Sequence, residues 1–173
     1  MGRVFVRNAV AAWFAPPAVA GLNTTYTGVE RWMPGQDFFA QMPAGTESGA
    51  VCFPYITDQR RRRVTLQGPT PGGKESIFEV DLVVRFASNQ SVVHKAQDDH
   101  DAMIDAVVVR LEADKRIGTS GQPEQVFMAG EGDTVDGTDI LVRSDLPKLH
   151  KNQVIIWTSV RFHVIEWISG GTA

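Results

Sequence analysis

The sequence predicts an α+β fold, in which a largely antiparallel β-sheet of about five to six strands packs against an N-terminal helix and a long central helix. Two observations predict it. Apolar residues recur every three or four positions in two segments and every second position in most others. The helical and strand segments also do not alternate one by one, as they would around a parallel sheet. With 173 residues, the chain is expected to form a single domain, residues 1–173, that includes a long irregular loop at about residues 17–48.

The first expected element is an amphipathic helix over residues 3–15. Its apolar side chains recur at three- to four-residue spacing, and the clearest are Phe5, Val6, Ala9, Val10 and Trp13. Pro16 and Pro17 end the helix, because proline lacks an amide donor and disfavours helix in the residue before it. The loop that follows contains a short extended piece from Leu22 to Tyr26.

Strand periodicity begins at Ala50. The predicted strands are Ala50–Tyr55, Arg63–Gln67, Ser76–Ala87, Glu124–Ala129, Asp139–Arg143 and Gln153–Ile168. Ser76–Ala87 is the clearest, because its apolar and charged residues alternate, so one face is buried and the other contacts water or a partner. In the last strand, Trp157 and Trp167 fall on the less apolar face. The long central helix is predicted over residues 91–116, with carboxylates near its start and basic residues at its end, as the helix dipole favours.

The composition excludes several protein classes. Hydrophobic residues make up 43% and charged residues 21% of the chain, which is typical of a folded globular domain and not of a disordered one. A single cysteine excludes a disulfide within the chain. A net charge of −3 disfavours a dedicated nucleic-acid binder. No run of about 18 apolar residues occurs, so no membrane span is expected.

The sequence contains no convincing catalytic, cofactor or metal motif. The segment Gly68–Lys74 has GxxxxGK spacing, but Glu75 stands where a phosphate-binding loop needs Ser or Thr, and a strand follows instead of a helix. The acidic segment 98–101 offers metal-ligand residue types, but no second cluster accompanies it, and a solvated helix face is favoured. Cys52 is expected to be a small buried apolar residue. We therefore predict no catalytic residue, no cofactor and no metal.

The candidate interface residues are a run of arginines and a set of aromatic residues. The run is Arg60, Arg61, Arg62 and Arg63; it is interpreted as a solvated strand entry, with an acidic protein partner or a phosphate or nucleic acid as alternatives. The aromatic residues are Trp32, Phe38 and Phe39 in the loop and Trp157 and Trp167 in the last strand. Such residues at surfaces mark interfaces. The alternative for them is a second core layer beneath the loop.

The order of elements resembles the tail terminator proteins of long-tailed, non-contractile bacteriophages. The resemblance lies in the helix with Ala9–Phe14 before two prolines, the segment Gly21–Tyr26, the alternating strand Phe78–Val84, the acidic helix that starts near Asp98–Asp105, and the long aromatic strand at the end. It covers nearly the whole chain as an order of elements.

The resemblance implies a structural virion protein without an active site. Tail terminators assemble as hexameric rings that cap the tail tube, join the tail to the head connector and let DNA pass through the lumen without specific binding. The expected partners are other copies of the chain, the tail tube protein and the connector or stopper protein, with no membrane. The expected location is the phage tail or neck, after assembly in the host cytoplasm.

Three other functions remain open at this point. The first is another head–tail neck protein, such as a stopper or connector component. The second is a small α+β enzyme or ligand-binding module, whose pocket Cys52, His100 or His163 would have to line. The third is an anion or nucleic-acid binder that acts through Arg60–Arg63.

Overall fold

The computed structural model describes residues 2–28, 47–63, 74–89, 93–113, 117, 126–128, 140–150 and 153–168. Within these ranges the chain forms two helices and seven strands. In chain order they are α1 (Arg3–Trp13), β1 (Leu22–Thr25), β2 (Ser48–Arg63), β3 (Lys74–Ser88), α2 (Val93–Ala113), β4 (Val126–Met128), β5 (Ile140–Ser144), β6 (Lys148–His150) and β7 (Gln153–Ile168).

All seven strands belong to one mixed sheet. Its order is β1-β2-β3-β7, and the short strands β4, β5 and β6 each pair with the far side of β7. β1 runs parallel to β2, whereas every other pairing is antiparallel. β2 and β7 have 16 residues each and β3 has 15, so three long neighbouring strands make up most of the sheet.

The predicted fold class is wrong. The expectation was an α+β fold with a largely antiparallel sheet of about five to six strands packed against an N-terminal helix and a long central helix. The structure is instead dominated by its mixed sheet, and the main helix–sheet contacts are confined to α1 with β2 and α2 with β3 and β7. Two causes are identifiable. The piece at Leu22 joins the sheet in parallel, and single-chain periodicity does not reveal strand direction.

The second cause lies in β2. The sequence predicts one strand ending at Tyr55 and another starting at Arg63, because the residues between them lack apolar alternation. β2 instead continues without a break to Arg63, since β3 pairs with it along its whole length, with one register shift between Ile56 and Asp58. Backbone hydrogen bonds to a neighbouring strand do not require apolar side chains, so a polar run extends the strand.

The alternation expected for β3 is confirmed. Five of its apolar side chains, Phe78, Val80, Leu82, Val84 and Phe86, are almost fully buried. They form one hydrophobic core with residues of β2 and β7 and with helix residues such as Val10 and Leu111. We call this side of the sheet the core face. The other side, which carries Asp81, Trp157 and Arg161, is the outer face, and its side chains are mostly half-buried.

The two helices bury one apolar stripe each. α1 buries Val6, Val10 and Trp13, and it begins at Gly2 without a side-chain cap. In α2 the buried stripe includes Met103 and Val107, as the three- to four-residue spacing predicts. Arg110 of α2 lies over the ring of Trp13, 5.0 Å from its centroid, and joins the two helices. Neither described helix is long and apolar enough to cross a membrane.

Candidate interaction surfaces

The arginine run lies in the part of β2 whose second backbone edge is not paired with any described strand. β1 pairs only with the stretch Ala50–Cys52, and the amide of Tyr26 donates to the carbonyl of Cys52 at 2.8 Å. Beyond that point no described strand covers this side of β2. Arg60 and Arg61 are exposed there, and Arg60 makes an exposed ion pair with Asp58 at 3.4 Å. We call residues 57–63 of β2 the arginine edge. Its register places Arg60 opposite Ile77 and Arg61 opposite Ser76, so the two arginines belong to opposite faces.

For several predicted interface residues, the structure describes only the backbone or does not describe the residue. The backbones of Arg62 and Arg63 end β2, and that of Trp167 lies near the end of β7, but their side chains are outside the described part. Trp32, Phe38 and Phe39 lie outside the described residues altogether. Their role as interface residues stays a prediction.

Trp157 lies on the outer face, as the alternation in β7 predicts. It packs at the margin of a small apolar cluster formed by Val51, Ala87 and Ile155. The guanidinium of Arg85, directly opposite on β3, lies 5.3 Å from the centroid of the Trp157 ring. Burial lowers the pKa of Arg85. Trp157 is therefore held in place from within the chain and is partly buried.

Among the predicted interface residues whose side chains the structure describes, Trp157 lies far from Arg60 and Arg61. Ile77, opposite Arg60, and Arg85, opposite Trp157, are eight positions apart on β3. At the rise of a β-strand this is about 27 Å. The arginine edge and Trp157 therefore belong to opposite ends of the sheet.

A charged network occupies the middle of the outer face. Arg161 donates from Nε and Nη2 to both carboxylate oxygens of Asp81, at 2.8 and 3.0 Å. Its Nη1 lies 3.4 Å from Glu79, whose other oxygen lies 3.7 Å from Nε2 of His163. The register places Asp81 opposite Arg161 and Glu79 opposite His163. Asp81, Glu79 and Arg161 are charged partners on neighbouring strands, and their contacts link β3 to β7.

The sequence reasoning missed an apolar patch at the opposite edge of the sheet. β5 and β6 form that edge, and no described strand pairs with their outer side. Leu146 and Leu149 are 86% and 77% exposed, and Val142 is 39% exposed. We call residues 142–149 the leucine edge. The signal in the sequence was weak, because Leu-Pro-Lys-Leu has no clear period and a predicted strand ended at Arg143.

Cys52 and His100 are both buried in the core, and each has a hydrogen-bonded partner. The Sγ atom of Cys52 lies 3.4 Å from Oγ1 of Thr25, and burial raises the pKa of the thiol to about 12. His100 is 3% exposed. A thiol that stays protonated at neutral pH is a poor nucleophile.

His100 belongs to a hydrogen-bonded chain that joins α2 to the leucine edge. Its Nδ1 lies 2.8 Å from Asp101, its Nε2 lies 2.8 Å from Oγ1 of Thr158, and that hydroxyl lies 2.8 Å from Oγ of Ser144. An acid, a histidine and a hydroxyl also form hydrolase triads. Here the Thr158 hydroxyl belongs to a residue that is 2% exposed, so the chain positions β5 against β7 and α2.

The described residues hold no group of three His, Cys, Asp or Glu side chains arranged to bind a metal. No protein-family model, curated protein or solved structure matches the chain. The arrangement of surfaces is therefore the basis for a functional proposal: the sheet has two opposite edges, one with a run of arginines and one with exposed leucines.

Proposed function

We propose that the protein is a structural virion protein that assembles into a ring, caps a phage tail tube and joins the tail to the head connector. The observation that carries the proposal is the leucine edge. Large apolar side chains as exposed as Leu146 and Leu149, beside unpaired strand backbone, favour association with another polypeptide. The resemblance in the order of elements supplies the phage context.

The position of the two edges supports a ring of identical subunits. The leucine edge and the arginine edge are opposite edges of one sheet. Contact between the leucine edge of one copy and the arginine edge of another is therefore heterologous, because two different surfaces meet. Heterologous contacts produce a closed ring when the rotation between subunits closes. In our proposal the leucine edge of one copy meets the arginine edge of the next, with a hexamer as the expected size.

The charge of the chain agrees with a lumen that lets DNA pass. Tight DNA binding depends on neutralising many phosphates with Lys and Arg. The net charge of −3 disfavours such binding, although Arg60 and Arg61 are exposed. In the proposed assembly the arginines contact protein, and DNA is not bound specifically.

Light scattering on a size-exclusion column, across a range of concentrations, tests the assembly. We expect a discrete hexamer, and the pair of changes Leu146→Glu and Leu149→Glu should give a monomer. Val109→Glu on α2 is the matched control, because Val109 is also exposed, at 61%, and lies outside both edges. If the leucine variants and the control assemble equally well, the leucine edge is not the interface.

A mixing experiment tests which surfaces meet. Arg60→Glu together with Arg61→Glu should also give a monomer. Each variant retains one intact edge, so an equimolar mixture of the two variants should form dimers and nothing larger. Monomers in that mixture would contradict contact between the two edges.

Capture on purified phage tail tubes separates a tail terminator from another neck protein. A terminator binds at tube ends, which electron microscopy of tubes with gold-labelled protein detects. Binding to the isolated head connector without binding to tubes would favour a stopper or connector component. A chain that is monomeric at every concentration and binds neither structure would overturn the proposal.

A further inference from the structure

The N-terminus of α1 and the middle of β2 enclose a small cavity that neither the sequence motifs nor the assembly proposal explains. Its volume is about 120 Å³, and it is lined by Arg3, Arg7, Gly28, Pro54, Tyr55 and Ile56. It lies where β2 is no longer covered by β1. Of the six lining residues that the structure describes, two are cationic and none is acidic.

The positive charges of this cavity reinforce one another. Arg3 and Arg7 are four residues apart on α1, so they lie on the same side of the helix, and like charges at this spacing destabilise a helix. The amino end of a helix also carries a partial positive charge, which favours carboxylates. α1 has no acidic residue in its first turn and no side-chain cap at Gly2. The repulsion between the arginines, the positive helix end and the lack of an acidic or capping side chain would each be relieved by a bound anion.

Of the two guanidiniums, that of Arg3 has a hydrogen-bond acceptor for one donor, whereas the Nε–H of Arg7 has none among the described contacts. Arg3 donates from Nη2 to the backbone carbonyl of Ile56, which ties α1 to the free side of β2. The Nε–H of Arg7 is buried, and among the described contacts it has no hydrogen-bond acceptor. A buried donor without an acceptor costs free energy, and an ion or water that accepts from it would remove this cost.

The cavity is shaped around the Arg7 guanidinium. A Cβ atom built on Gly28 would lie 3.7 Å from Cζ and 3.9 Å from Nε of Arg7, so the guanidinium lies against the glycine backbone. Pro54 and Ile56 are buried and form an apolar wall, whereas Tyr55 is half-exposed. An ion in this cavity would be partly shielded from water, which strengthens its attraction to the guanidiniums.

We propose that this cavity is an oxyanion-binding site, in which Arg7, with Arg3, binds a phosphate or a carboxylate group. Both groups match the planar donor fork of arginine, and a charged acceptor satisfies the Arg7 Nε–H. The two groups have different sources, a phosphorylated ligand or an acidic peptide. The proposal does not depend on ring assembly.

The experiment measures thermal unfolding of the full chain in increasing inorganic phosphate, and separately in increasing succinate, with sodium chloride keeping the ionic strength constant. A ligand that binds only the folded state raises the melting temperature in a saturable way. We expect this for one or both probes. A response to phosphate alone identifies a phosphorylated ligand, and a response to succinate alone identifies a carboxylate.

Arg7→Gln should weaken the apparent affinity by roughly tenfold or more, because a charge-assisted hydrogen bond is lost. Arg7→Lys keeps the charge but not the fork, and it should also weaken binding. The matched control is Lys95→Gln, which removes an exposed positive charge on α2, outside the cavity and both edges, and should leave the affinity unchanged. Isothermal titration at low temperature serves if Arg7→Gln lowers stability. No saturable response in the wild-type chain, or equal losses in the control, would overturn the proposal.

Discussion

Asp81 on β3 and Arg161 on β7 face each other across the sheet and make a two-pronged ion pair, with N–O distances of 2.8 and 3.0 Å. The Asp81 side chain is 13% exposed and that of Arg161 is 35% exposed, so water screens the pair only in part. The pair joins β3 to β7, two of the three long strands, at the centre of the outer face. It therefore stabilises the pairing of β3 with β7, which lie between the arginine edge and the leucine edge.

Replacing Asp81 with Asn should destabilise the fold, because Arg161 would lose a charged acceptor while remaining half-buried. We expect the free energy of unfolding to fall by about 1–3 kcal/mol, measured by urea denaturation. Asp58→Asn is the matched control. Asp58 pairs with Arg60 at 3.4 Å with both side chains more than half exposed, and such surface pairs contribute about 1 kcal/mol at most. Equal effects of the two changes would contradict a special role for the Asp81–Arg161 pair.

The Cys52 thiol should be unreactive in the folded protein. It is fully buried and its pKa is raised to about 12 by burial, and only the thiolate reacts readily with disulfide reagents. At pH 8 we expect no reaction with a chromogenic disulfide over minutes and one thiol per chain after addition of urea. Rapid reaction without denaturant would show that the thiol is accessible.

The same thiol should make stability fall at alkaline pH. In the unfolded chain Cys52 ionises near pH 9, whereas in the folded chain it ionises near pH 12. Between these values the folded state holds the proton that the unfolded state has released, so the free energy of unfolding decreases as pH rises, by about 1.4 kcal/mol per pH unit. Cys52→Ala removes this contribution. The wild-type curve should therefore fall more steeply than the variant curve above pH 9, and parallel curves would refute the assignment.

Gly21 should be intolerant of a side chain. Its φ is +81°, and a Cβ there would lie 3.3 Å from Cγ of Met103 on α2. An L-residue in this conformation costs about 1–2 kcal/mol, before any cost of moving Met103. Gly28→Ala is the control, because its Cβ would meet ordinary contacts of 3.7 Å or more. Thermal unfolding should show a clear loss for Gly21→Ala and little change for Gly28→Ala.

The sequence predicted local structure better than it predicted pairing. Alternation along β3 and β7 placed Phe78 in the core and Trp157 on the opposite face, because burial on one side of a strand imposes a period of two. It did not reveal that β1 is parallel to β2, nor that β2 extends through Arg60, because both depend on the neighbouring strand. Strand direction and strand length are therefore two respects in which the predicted sheet differs from the observed one.

For the candidate surfaces too, features set by a residue's own segment were predicted, and features set by a neighbouring element were not. The exposure of Arg60 and Arg61 was expected from their charge. The cavity at Arg7 was not, because it depends on the contact between α1 and β2, which are far apart in the sequence. The exposure of Leu149 was also missed, because a leucine is buried or exposed according to whether another element covers it, and nothing in its own segment decides that.

The chain of hydrogen bonds through Thr158 should stabilise the leucine edge. Thr158→Val keeps the volume but leaves Nε2 of His100 and Oγ of Ser144 without this hydroxyl. We expect a loss of about 1–3 kcal/mol in the free energy of unfolding, since the His100 ring is buried. Thr158→Ser retains the hydroxyl and should cost less.

Hydrogen exchange of the β5 amides gives the more specific readout, because faster exchange there in the valine variant alone would link the buried hydroxyl to the leucine edge. If serine and valine variants lose the same stability and β5 exchange is unchanged, only the packing of Thr158 matters.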